Sequence, residues 1–405
     1  MAKTPQTPTA SEVIKSLMTK DKKEFANLVV LSESKTSVVS EWISTGSYAL
    51  NKIISGDPRK GIPVGLITAF AGESSTGKSF ICANVAREAQ KQGFIVIYVE
   101  TENSPVGDML TKVGADSENI IKPEGCFTIA AVKNNLVKTL RAIHEQFPTS
   151  KILVILDSLG NLVSDKQLYG DIEDNKIGHD QGMKAKELKA LSAILTQELG
   201  RCNGTMLVAN HIYLKPGQNP KIPPEEVFSG GSGFLYTASV IVYMHKRTEK
   251  EEEENQATGK DEKRAVGVFL RGMTKKNRIV PEGKKGEFHV SFRSGMNKWY
   301  GLLEEALVHG FLEDTGGFYK VKHLDKKFRE GELYKDEIWA PIFNELCDKI
   351  AAASSYSSVA DDVLNDLGAE EAKKAEKSDK DAAKAAAEEA EDNTSRGRKA
   401  SKKTR

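Results

Sequence analysis

Residues 72–79 read Gly72-Glu73-Ser74-Ser75-Thr76-Gly77-Lys78-Ser79, a complete GxxxxGK[ST] motif. An apolar run, Leu66–Ala71, precedes it, and a helical pattern, Ser79–Lys91, follows it. Strand, loop and helix in that order are the setting in which this motif cradles phosphates. Gly72 and Gly77 permit backbone angles closed to other residues, so successive N–H groups can turn inward. The start of the helix adds positive potential at the same place. Lys78 is then placed to reach the β and γ oxygens of a nucleoside triphosphate, and the Ser79 hydroxyl to ligate Mg²⁺.

Further strands are read outward from this loop. Phe94–Val99 and Ile152–Leu156 are nearly continuous apolar runs, the pattern of strands buried on both faces of a parallel sheet. Later candidates are Met206–Ala209, Val240–Met244, Val266–Arg271 and Glu287–Phe292. Leu188, Leu191, Leu195 and Leu199 recur at helical spacing and predict one apolar stripe. Strands alternating with helices predict an α/β fold with a parallel sheet. Thr248–Arg264 is almost pure charge between two strands and reads as an exposed hairpin tip or a loop.

In such a sheet the carboxyl ends of the strands face the ligand crevice. Asp157 ends the Ile152–Leu156 run, the Walker B form, and is a candidate for the Mg²⁺ shell. The Phe94–Val99 run is followed by Glu100-Thr101-Glu102, which offers two candidates for the carboxylate that activates water beside a γ-phosphate. Asn210-His211 follows Met206–Ala209, either as a polar sensor of the γ-phosphate or as a structural pair.

The whole chain has 405 residues, with 58 Lys+Arg against 57 Asp+Glu, so a globally basic coat is excluded and any nucleic-acid surface must be local. No apolar run approaches the ~20 residues that a membrane-spanning helix needs. Cys82, Cys126, Cys202 and Cys347 form no CxxC or metal knuckle, and the histidines form no HExxH, so buried, reduced thiols in a cytoplasmic protein and no histidine metal site are expected. Composition divides the chain into residues 1–35, an arm with a helix-like stretch Ser11–Phe25; 36–300, the alternating α/β core; 301–360, a compact helical region; and 361–405, a charged tail. The tail holds 12 acidic and 5 basic side chains over 361–392, then 6 basic and no acidic ones over 393–405. With almost no large apolar side chains, it is expected to be disordered.

Together these residues resemble the RecA family of homologous recombinases. Ile43-Ser-Thr-Gly-Ser47, Glu73-Ser-Ser75 and Asp157-Ser158 carry the resemblance, which spans roughly residues 36–340. Asp157-Ser-Leu-Gly-Asn-Leu162, Asn210-His211 and Trp299-Tyr-Gly-Leu-Leu303 look like the phage branch of UvsX type.

The resemblance implies a RecA-type P-loop ATPase core with a mostly parallel central sheet, a short N-terminal polymerisation arm and a small C-terminal helical region. It implies ATP and Mg²⁺ as cofactors, with residues 72–79, Asp157 and His211 at the nucleotide. It implies Glu102 as the catalytic base, and Lys276 and Arg278 as residues reaching a neighbour's nucleotide. Two DNA-binding loops would be about Asp165–Gly182, with Lys166 and Lys176, and Ile212–Ser229, with Lys215 and Lys221.

The implied activity is ATP-driven strand exchange in a filament on single-stranded DNA, in the cytoplasm of a phage-infected host. Implied partners are double-stranded DNA, a single-strand-binding protein and a loading mediator. The aromatic that stacks on adenine in the family is replaced near Met109, so the resemblance assigns no base-stacking residue. Rival readings are a hexameric RecA-fold helicase and a regulatory RecA-fold ATPase that binds no DNA.

Overall fold

The computed structural model describes residues 9–25, 28–30, 38–169, 177–215, 225–230, 232–255 and 260–354. Lys176, Lys221 and the tail 361–405 lie outside them. The chain divides into two units, 1–351 and 352–405, and the central sheet with its covering helices belongs to the first.

Helix α1 (Ala10–Lys20) starts with a capping box: the Thr9 hydroxyl accepts from the Glu12 amide, and Glu12 accepts from the Thr9 amide. Its apolar stripe of Val13, Ile14, Leu17 and Met18 is not buried, since α1 contributes no buried residue. The short strands β1 (Trp42–Ile43) and β2 (Ile62–Pro63) pair antiparallel around α2 (Tyr48–Ser55).

The main sheet then unfolds along the chain as β3 (Ile67–Gly72), α3 (Lys78–Lys91), β4 (Phe94–Glu100), α4 (Val106–Val113), β5 (Ile120–Ile121), α5 (Ile129–Gln146) and β6 (Lys151–Asp157). It continues through α6 (Asp165–Tyr169), α7 (Ile177–Arg201), β7 (Gly204–Lys215), β8 (Glu225–Phe228) and α8 (Ser232–Thr237). β9 (Val240–Asn255), β10 (Lys260–Asn277), β11 (Lys285–Ser291) and β12 (Gly295–Asn297) complete it.

The spatial order is β12-β11-β10-β9-β3-β7-β6-β4-β5, with β8 attached to β7. From β9 to β5 neighbouring strands are parallel, and the β10–β12 extension is antiparallel. The parallel strands are covered on both faces, which explains their unbroken apolar reading. Ile81, Val85 and Ala89 of α3 and Leu50 and Ile53 of α2 pack with Phe70, Val96 and Leu153 on one face. Leu188, Leu191, Leu195 and Leu199 of α7 join Leu136 and Leu140 of α5 against Ala69, Ile97 and Val154 on the other. All four cysteines are free and buried.

The charge-rich stretch Thr248–Arg264 is the outer part of a hairpin, one of its two readings, and for the most part strand rather than loop: the β9–β10 ladder runs from Asn277↔Val240 out to Lys260↔Asn255. The pairing there is a backbone ladder, with position 252 opposite 263 and position 251 opposite 264 in the register. The region after residue 300 is mixed rather than helical. α9 (Leu303–Val308) is followed by a three-stranded antiparallel meander, β13 (Leu312–Asp314), β14 (Tyr319–Val321) and β15 (Lys326–Phe328). Gly316 and Gly317, both at positive φ, make its first turn. α10 (Glu330–Leu333), α11 (Asp336–Trp339) and α12 (Phe343–Ser354) close a separate core around Trp299, Trp339 and Leu346.

Candidate nucleotide-binding site

The loop between β3 and α3 lies at the carboxyl edge of the sheet, and its shape needs its glycines. A Cβ on Gly72 would sit 2.6 Å from both Met244 O and Thr76 Oγ1. Gly77 caps α3 with φ +77°, the left-handed region. Lys78 is the first residue of α3, and its ammonium donates to Gly72 O at 3.0 Å and Glu73 O at 2.7 Å. Burial lowers the Lys78 pKa, while the charges of Asp157 and Glu102 oppose that shift. Burial pushes the Asp157 carboxyl up, and hydrogen bonds from Ser79 and Tyr98 hold it back. Tyr98 Oη lies 2.9 Å from Asp157 Oδ2.

The two glutamates after β4 have separate tasks. Glu100 is buried, and its Oε1 accepts from the Glu102 amide at 2.6 Å and the Ser104 amide at 3.1 Å, so it shapes the turn. Glu102 lines the cleft instead. Its Oε1 lies 2.9 Å from Ser158 Oγ, 2.7 Å from Asn161 Nδ2 and 3.0 Å from His211 Nε2. Partial burial would raise the Glu102 carboxyl, but the hydrogen bonds from His211, Ser158 and Asn161 and the His211 charge outweigh it and hold the pKa below the ordinary glutamate value.

The cleft, about 1420 Å³, brings together Ser74–Ser79, Glu102, Asp157 and His211. Met109 and Phe292 line it as well, Phe292 with most of its ring in solvent.

Sequence reasoning misses Ser158, Asn161 and Tyr98 as site residues. The signal is present in part: polar residues cluster just after the carboxyl end of a buried strand.

Lys276 and Arg278 are not brought to this cleft. Lys276 pairs with Ile241 and Asn277 with Val240, while Val240 is level with Thr68 at the start of β3. The pair therefore lies at the opposite edge of the sheet, about 13 Å of strand from Gly72. There Lys276 Nζ donates to Leu235 O at 2.5 Å and Tyr236 O at 2.9 Å, and Arg278 Nη2 donates to Tyr236 O at 2.8 Å, on the carbonyl end of α8. Lys166 on α6 and Lys215 at the end of β7 both lie beyond the carboxyl edge that holds the cleft. β7 continues past His211 as a ribbon with β8, from Ile212↔Phe228 to Lys215↔Glu225, so the second loop has a paired stem.

Residues 12–297 match the family model described as the RecA N-terminal domain. The chain belongs to the RecA family. It is 24% identical over 351 residues to Protein RecA of Campylobacter hominis, covering 85% of this chain and 93% of that one. It is 25% identical over 347 residues to Protein RecA of Mycoplasmopsis pulmonis, covering 83% and 94%. Protein RecA of Streptomyces venezuelae is 26% identical over 287 residues, covering 70% and 69%.

RecA-family proteins use ATP with Mg²⁺. The residues present fit both: a helix-start loop with a buried ammonium for the phosphates, and a hydroxyl beside a carboxylate, Ser79 and Asp157, for the cation. Among the described residues, no helix is long and apolar enough to cross a membrane.

Proposed function

We propose that this chain is an ATP-dependent recombinase that polymerises on single-stranded DNA and pairs it with homologous duplex. The observation that carries the reading is the convergence of Glu102 with Ser158, Asn161 and His211 in a cleft whose other wall is the phosphate-binding loop. Lys78 supplies the point charge to the β and γ oxygens. Ser79 and Asp157 hold Mg²⁺, which when bound neutralises charge on the phosphates. Glu102, ionised and fixed by three donors, orients the attacking water and takes its proton. His211 lies against Glu102, where it senses the γ-phosphate.

Lys276 and Arg278 act on the nucleotide of the neighbouring protomer, a role supported by their distance from the cleft of their own chain. DNA binds the loops that leave β6 and β7, with Lys166, Lys176, Lys215 and Lys221 on phosphates. The unburied stripe of α1 packs on the next protomer. Asp157-Ser-Leu-Gly-Asn-Leu162, Asn210-His211 and Trp299-Tyr-Gly-Leu-Leu303 support a place in the UvsX-type phage branch. On that reading a single-strand-binding protein and a loading mediator are partners, in the cytoplasm of an infected host cell.

The test is a three-strand exchange assay with electron microscopy of the same mixture. The reading predicts open helical filaments in ATP and single-stranded DNA, and exchange that requires ATP. Closed rings, or no DNA-bound assembly, would overturn it.

A further inference from the structure

Gly160 is where three elements far apart in sequence meet. Its carbonyl accepts from Lys184 Nζ at 2.9 Å, and Lys184 stands near the start of α7, the helix that leaves the first loop. A Cβ on Gly160 would lie 2.9 Å from Ser229 Oγ and 3.0 Å from Asn210 Oδ1, so the turn 159–161 packs bare backbone against the stem of the second loop. That stem is itself tied: Asn210 Nδ2 donates to Ser229 O at 2.8 Å, and the Ser229 amide donates to His211 O at 3.0 Å. The next residue in the turn, Asn161, donates its side-chain amide to Glu102 at 2.7 Å.

The Lys184 ammonium has given up part of its water, and its burial is the cause of a lowered pKa. Among the described residues it makes no ion pair; its hydrogen bond goes to a backbone carbonyl. Desolvating a charge for a single neutral acceptor is unfavourable for packing alone.

We propose that Lys184 is a positioning residue for hydrolysis. It fixes the turn Leu159–Asn161 and, through the Asn161 amide, the orientation of Glu102, so that the catalytic carboxylate follows the seating of the helix leaving the first loop. This rests on Glu102 being the base proposed for hydrolysis. Three donors converge on one Glu102 oxygen, and losing the order of one loosens the carboxylate, held then by Ser158 and His211 alone, in its orientation toward the water. A misplaced group of this kind lowers the chemical step more than ATP binding, because Lys78 and the loop around it are untouched.

The experiment uses the full chain and compares Lys184→Met, Lys184→Arg, Asn161→Ala and the Lys184→Met/Asn161→Ala double variant. Steady-state ATP hydrolysis is measured with saturating oligo-dT. Lys184→Met is expected to lower kcat roughly tenfold, with KM for ATP within about twofold of the parent. Asn161→Ala should do the same, the double variant should fall no further than Asn161→Ala, and Lys184→Arg should restore most of the rate, since it keeps a donor in reach.

Parental kcat in Lys184→Met, or losses that multiply in the double variant, would overturn the proposal. If Lys184→Met loses cooperative unfolding, Lys184→Gln, whose amide is too short to reach Gly160, replaces it under the same outcomes. A parent chain that hydrolyses no ATP would overturn both this role and that of Glu102. A parent stimulated by DNA and matched by Lys184→Met would overturn the positioning role alone.

Discussion

Glu102 and Glu100 stand two positions apart on the same turn, yet only Glu102 is free of the turn's own amides and faces the phosphate loop. Glu102→Gln should therefore bind ATP and lose turnover by about 10²–10⁴-fold, the usual contribution of a positioned base; a nucleotide-binding titration beside a turnover assay checks both halves. Lys78→Ala should lose ATP-dependent assembly as well as turnover, since it removes the main charge on the phosphates, and light scattering on adding ATP reads this directly. The pH profile carries a sign. Hydrogen bonds hold the Glu102 carboxyl below the ordinary glutamate value despite its partial burial, so the ionised form that the proposed mechanism uses persists to acid pH. Ser158→Ala removes one of those donors, and the acid limb of kcat should move upward relative to the parent. The phosphate loop and Asp157 are legible in the sequence because each is a contiguous motif on a strand end. Ser158, Asn161 and Lys184 are not, because what makes them matter is a meeting of segments from positions 102, 160 and 184 that no spacing announces.

At the scale of elements, the same divide has a physical cause. The doubly covered strands and the leucine stripe of α7 are readable because burial on a fixed face imposes a period. The outer β9–β10 ribbon is not, because its almost purely charged sequence has no apolar period to show, and β13–β15 are not, because three residues are too few for any period. The leucine stripe gives a direct check: Leu195, 2% exposed within the α7 face, should cost about 2–5 kcal/mol on replacement by alanine, read from denaturant unfolding. Lys166 on α6 and Lys215 at the end of β7 are two of the four proposed DNA contacts. If Lys166, Lys176, Lys215 and Lys221 meet phosphates, their fourfold replacement by alanine should flatten the dependence of log affinity on log salt by about 0.7 for each single-strand phosphate no longer neutralised. Fluorescence anisotropy of labelled oligo-dT across a salt series measures this slope.

For the whole molecule, Lys276 and Arg278 lie away from the cleft of their own chain, and on the proposed role each site is completed only between two protomers. Mixed filaments of a Glu102→Gln chain, which keeps the basic pair, and a Lys276→Ala/Arg278→Ala chain, which keeps Glu102, should then regain part of the turnover that each has lost alone. The central claim is that protomers become catalytic by lining up on DNA. It is tested most directly by the rate of ATP hydrolysis by the full chain with and without single-stranded DNA. The account predicts low turnover for the protein alone and a large rise when oligo-dT is added. The same rate in both conditions would contradict it.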